Sequence, residues 1–167
     1  LMEMAEKNIN FYLIQKRKES VNAPRIAPAQ RIMETLQKDL GMEKLPVHIE
    51  CFDNSNIQGT NPVSSCVVFK NAKPAKNEYR KFNVKTVVGP DDFATMVEVV
   101  TRRYTRLIEE EKPLPDLIII DGGKGQLGMA TEVLRKLGIL DKVTLIGIAK
   151  RLEEIFFPED SIPLYIN

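Results

Sequence analysis

The chain has 167 residues, 43% hydrophobic and 28% charged, with a net charge of +1. That length suits one domain with a proper core and an appendage, and the near-neutral balance excludes a whole-molecule field for nucleic acid, so any basic surface must be local. Two cysteines, Cys51 and Cys66, are too few for a disulfide framework and read as small buried hydrophobes of a reducing compartment, which predicts a cytoplasmic location. No run reaches the ~20 apolar residues of a membrane span, and no secretory signal opens the chain. The start at Leu1, without an initiator methionine, leads us to expect a fragment of a longer protein.

Residues 1–19 are good helix formers, and Asn22-Ala23-Pro24 and Ala27-Pro28 interrupt them. From Ala29 to Leu40 helical spacing resumes through Ile32, Met33, Leu36 and Leu40, with Gly41 placed to stop it. We assign residues 1–44 to a helical arm or connector and 45–167 to the main domain. Val47, Ile49 and Cys51 then alternate with His48, Glu50 and Phe52 in a strand that ends at Asp53. Asn54–Pro62 is turn chemistry, Val63–Lys70 a second strand, Asn71–Glu78 a polar loop, and Tyr79–Val88 a third strand in an antiparallel hairpin with the second. Gly89-Pro90-Asp91-Asp92 opens a helix whose face is marked by Phe93, Met96, Val97, Val100, Tyr104, Leu107 and Ile108. Leu117–Ile120 is wholly apolar, as in a central strand covered on both faces. A second helix is predicted over Lys124–Leu137, closed by Gly138, then a fifth strand over Val143–Ala149 and a short edge hairpin in the remainder.

Three meandering strands followed by a strand–helix–strand unit is the order of ribonuclease-H-like domains. The expected fold is therefore an α/β domain: a mixed five-stranded sheet with flanking helices, preceded by a helical N-terminal arm. If the first and fourth strands are central, parallel neighbours, Asp53 and Asp121 emerge side by side, about 4.8 Å apart, at the strand ends where ligands collect. Two such carboxylates repel unless a cation lies between them. Mg²⁺ or Mn²⁺ suits an all-oxygen site, and ion pairs about 3.5–4 Å apart serve phosphodiester hydrolysis. Asp91 and Asp92 are the natural source of a third carboxylate, although either also reads as a helix cap, and a lone aspartate before a turn reads as a turn former.

Gly123, Gly125 and Gly128 have the G-x-G-x-x-G spacing of dinucleotide sites, inside a strand–helix–strand unit. Against that reading, Asp121 stands where a pyrophosphate would lie. The next strand is followed by Lys150-Arg151 rather than by an acid for a ribose. An NADP-type oxidoreductase stays open on spacing alone; a P-loop does not, since no Ser or Thr follows Lys124. We read the glycines as a tight turn beneath a metal site.

Lys70, Lys73, Lys76, Arg80, Lys81 and Lys85 against Glu78 could grip a phosphate backbone, and Arg102, Arg103 and Arg106 form a second group on the polar side of the first long helix. Lys124 is a candidate phosphate contact beside the glycines. A solvated surface is the alternative for each group. Phe69, Tyr79 and Phe82 are sparse aromatic company for base stacking. His48, with no partner at metal-ligand spacing, reads as structural.

The stretches IECFDNSNIQGTNPVSSCVVF (49–69), YRKFNVKTVVGPDDFATM (79–96) and PDLIIIDGGKGQLGMA (115–130) resemble the carboxyl-terminal endonuclease domain of the UvrC family, over about residues 28–167. The resemblance implies a domain that incises damaged double-stranded DNA 5′ to a lesion in bacterial nucleotide excision repair. It also implies dependence on Mg²⁺ or Mn²⁺, and action with UvrB after UvrA has loaded the site. Asp53 matches the acid of the family's FD-x-S element and Asp121 that of its DGG element. Asp92 matches the acid of its G-x-x-D element better than Asp91 does. Two departures stand out: Asn56 replaces the histidine of FD-x-S-H, and nothing here matches the family's catalytic histidine, which lies in a segment after Asn167, as does its helix–hairpin–helix module. The rival classes are the oxidoreductase and a non-catalytic DNA- or protein-binding module of the same fold.

Overall fold

The computed structural model describes residues 27–55, 63–84, 91–149, 154–160 and 162–165. The helix expected over 1–19, the turn at 56–62 with Asn56, the end of the third strand from Lys85, and Lys150-Arg151 lie outside the described residues.

Helix α1 spans Pro28–Asp39 and opens on a proline whose fixed φ suits a first turn. It stops where Gly41 turns left-handed (φ +61°), with Met42 N–H donating to the Gln37 carbonyl and Gly41 N–H to that of Lys38. Strand β1 is His48–Ser55, running two residues past the expected end at Asp53, and β2 is Val63–Lys70. The loop after β2 holds a two-residue strand, β3 (Lys73–Pro74), and one 3₁₀ turn, Lys76–Glu78. The expected third strand is β4, confined to Arg80–Asn83. Helix α2 runs Asp92–Glu109, β5 Leu117–Asp121, α3 Lys124–Lys136, and β6 Thr144–Ala149. The expected edge hairpin is β7 (Glu154–Phe156) and β8 (Leu164–Tyr165), which pair antiparallel.

Among the described residues the sheet thus has eight strands rather than five, in the order β3-β2-β1-β5-β6-β7-β8, with β4 also on the outer edge of β2. β3 pairs with the end of β2 and β4 with its beginning. In the middle, β1 is antiparallel to β2 and parallel to β5, and β5 is parallel to β6. At the entrance of the β1–β5 pair, His48 N–H donates to Asp116 Oδ2 at 2.9 Å and Asp116 N–H to the His48 carbonyl at 2.8 Å, which pins the register of the two strands.

Both faces of the sheet are covered. Phe52, Ile118 and Ile120 point toward α2 and α3 and join Met96, Tyr104, Leu127 and Leu134 in the larger core. Leu117 and Ile146 face the other way and pack with Ile155, Leu40 and Met42, so α1 and the loop after it close the second face. The buried face of α2 is rotated from the one the apolar spacing marks. Thr95 and Val99 are buried with Met96, Val100, Tyr104 and Leu107, while Phe93, Val97 and Ile108 are exposed.

Candidate active site

Asp53 and Asp121 are direct partners in the parallel β1–β5 register, each the residue opposite the other. Adjacent strands put such partners about 4.8 Å apart. Strand alternation turns both carboxylates to the face carrying Leu117 and Ile119, away from that of Ile118 and Ile120. Both residues are half-buried at the carboxyl ends of the central strands. The β1 end is held by Ser64 Oγ, which donates to the Asp53 carbonyl at 3.3 Å, and the β5 end by Gly122 N–H, which donates to the Ile148 carbonyl at 3.0 Å.

The two candidates at the start of α2 have separate positions. Asp91 is the N-cap, its Oδ1 accepting from Phe93 N–H at 3.1 Å and Ala94 N–H at 2.9 Å. Asp92 is the first helical residue, and its carbonyl accepts from Asn54 Nδ2 at 3.2 Å, which ties the head of α2 to the residue following Asp53. Asp92 opens α2, the helix that packs on the Phe52 and Ile120 face of the sheet. Among the described residues, no group of three or more His, Cys, Asp or Glu side chains could hold a metal ion.

The glycine turn does what a tight turn must. Gly123 caps α3, which begins three residues after Asp121. A side chain at Gly122 would run into Gln126, and one at Gly125 would meet the Phe93 ring at 2.5 Å. The space over Gly125 that a pyrophosphate would need is taken by that ring, which counts against the dinucleotide reading.

The basic candidates divide. Lys73, Lys76, Arg80 and Lys81 are exposed on and around the hairpin, and Lys70 pairs with Glu78 at 2.7 Å. Arg102 lies over the Phe82 ring and donates to Glu98 and to the Asn83 carbonyl. Lys124 is exposed, its ammonium 4.9 Å from the Phe156 ring centroid. Arg103 departs from the polar side expected for it. Its side chain is 11% exposed, and its guanidinium holds Glu50 through Nη2–Oε1 at 2.5 Å and Nε–Oε2 at 3.2 Å.

Glu50 is the residue that sequence reasoning passed over. It is fully buried in the central strand and also accepts from Tyr104 Oη at 3.0 Å and Cys66 Sγ at 3.7 Å. His48 Nε2 lies 3.3 Å from Oε1. Burial by itself would raise the Glu50 carboxyl; His48 and Arg103 outweigh it and hold the group down to about 2. Burial, and then the Glu50 charge, push the Tyr104 hydroxyl and the Cys66 thiol up, so both stay protonated.

A mixed sheet whose two central parallel strands end in register-matched aspartates, with helices on both faces, is the framework of a ribonuclease-H-like nuclease. The family model described as the UvrC RNase H endonuclease domain matches residues 37–167, and the chain belongs to that family. It is 57% identical over its whole length to UvrABC system protein C of Porphyromonas gingivalis, and 58% identical to the protein of that name from Flavobacterium johnsoniae. It spans 28% of the length of each. Human ENDOV superposes at a TM-score of 0.45 with 17% identity, over 73% of this chain and 58% of that one.

Proposed function

We propose that this chain is the phosphodiester-cleaving domain that makes the 5′ incision in damaged double-stranded DNA during bacterial nucleotide excision repair. In this reading it acts in the cytoplasm with UvrB, after UvrA. The observation that carries the reading is the pairing of Asp53 with Asp121 across β1 and β5, in a chain of this family.

The residues fit a hard divalent cation: two neighbouring carboxylates give all-oxygen ligands and a local negative charge that a Mg²⁺ or Mn²⁺ ion relieves. Asp53 and Asp121 would hold the ion, with Asp92 as an outer or second donor. When bound, such an ion polarises the scissile phosphate and lowers the pKa of water. The chain's own part is placement. The Asp116–His48 clamp sets the register that brings the acids together, Asn54 holds the head of α2, and Asp91 caps that helix so that Asp92 keeps its station. Lys124 and the exposed cations of β4 and α2 would attract and orient the DNA backbone.

The test is Asp53→Asn and Asp121→Asn in the full-length protein. Both should abolish the 5′ incision while leaving damaged-duplex binding intact, and both should lose the Mn²⁺ binding heat of the wild type. Incision at the wild-type rate by either variant would refute the assignment.

A further inference from the structure

The two basic groups that look separate in the sequence meet at the end of the sheet opposite the acids. There a cleft of about 450 Å³ opens between the hairpin and the C-terminal half of α2. Its floor includes His48, whose Nε2 is buried without a hydrogen-bond partner, and Arg103, both held by Glu50 beneath. Lys70 and Arg80 stand in the hairpin wall, with Glu78 paired to Lys70. Arg80 gives Nη1 to the backbone carbonyls of Asn77 and Tyr79 and has no carboxylate partner among the described residues. In the opposite wall Arg106 and Lys112 share a single carboxylate, Glu110. Five cationic heads thus face two wall carboxylates and Glu50, which leaves about two net positive charges focused in a concave site.

Guanidinium and ammonium groups line both walls of this cleft. A planar carboxylate satisfies one fork at a time, whereas a tetrahedral phosphate accepts from several directions. His48 and Asp53 lie at opposite ends of β1, five residues apart, which is roughly 17 Å of strand.

We propose that the cleft is a second phosphate-binding site, one that seats a DNA backbone phosphate away from the bond that is cut. The proposal rests on the nuclease reading for the position of the cut, though not for the anion chemistry. Arg80→Ala with Arg106→Ala removes one guanidinium from each wall, and both residues are exposed, so folding is not at stake. Ethylation interference would be read with the full-length protein, UvrA and UvrB on an end-labelled damaged duplex. Ethylating a phosphate away from the incised bond should impair wild-type binding at a position where it has no effect on the double variant. That variant should bind the duplex roughly tenfold more weakly, with a log–log salt dependence shallower by about one. The same interference bands in both proteins, or equal competition by poly-glutamate (an acidic-peptide cleft), would each overturn the proposal. Failure of the nuclease reading shows separately, as incision that survives Asp53→Asn while the interference pattern stays readable.

Discussion

Arg103→Met tests how much of the fold hangs on one buried charge. In the native protein Glu50, fully inaccessible, takes two bonds from the Arg103 guanidinium, one from Tyr104 and one from Cys66, beside the His48 ring. Removing one partner of such a pair strands the other, and stranded buried charges cost about 3–5 kcal/mol. Because Arg103 retains slight exposure (11%) and Tyr104 and His48 remain, the expected loss is near the lower figure, about 3 kcal/mol. That corresponds to a fall in Tm of ~10 °C for a domain of this size. The chain has no tryptophan, so urea unfolding is best followed by circular dichroism at neutral pH. Glu50→Met combined with Arg103→Met replaces the pair with apolar side chains and should lose clearly less than the two single variants added together. A single variant within about 1 kcal/mol of wild type, or strict additivity in the double variant, would refute the view that Glu50 depends on its guanidinium.

The remaining predictions concern acid, packing and the head of α2. Glu50 is held at about 2 in the folded state against ~4.3 when unfolded. Its contribution is therefore complete above about pH 4.5 and lost as pH falls from there toward 2, in total ~3 kcal/mol, measurable as urea midpoints along a pH series; Glu50→Gln should flatten that limb. Gly147→Ala would press a methyl to 3.2 Å from Leu127 Cβ and 3.4 Å from the Gly122 carbonyl, so we expect a loss of about 1–2 kcal/mol in calorimetry. Asp91→Ala removes the cap on Phe93 and Ala94 and should cost ~1 kcal/mol of stability with incision retained. Asp92→Asn should do the reverse, keeping Tm and lowering the incision rate.

What the sequence discloses follows from how local the cause is. The β1–β5 pairing and its two acids are legible because Leu117–Ile120 is an uninterrupted apolar run, and such a run belongs in the middle of a sheet. Glu50 is illegible for the opposite reason. An acid alternating with Ile49 and Cys51 reads as solvent-facing, and only α2, packed across that face with Arg103 and Tyr104, makes it internal. The turn of α2 is equally a tertiary matter, since two apolar stripes compete along it and packing against the sheet and α3 selects the one with Thr95 and Val99. β3 leaves no trace, being two edge residues of which one is proline. The basic cleft joins residues from His48 to Lys112, a distance across which no periodicity speaks.

Helix α2 is fastened to β1 at its first residue, by Asn54 at the Asp92 carbonyl, and again two-thirds of the way along, by Glu50 at Arg103 and Tyr104. A beam bolted at two points transmits load instead of sliding. Any neighbour that leans on the Arg103 end must either tear out a buried bolt or shift the Asp92 end with it. Contact at one pole of the domain is thereby mechanically audible at the other.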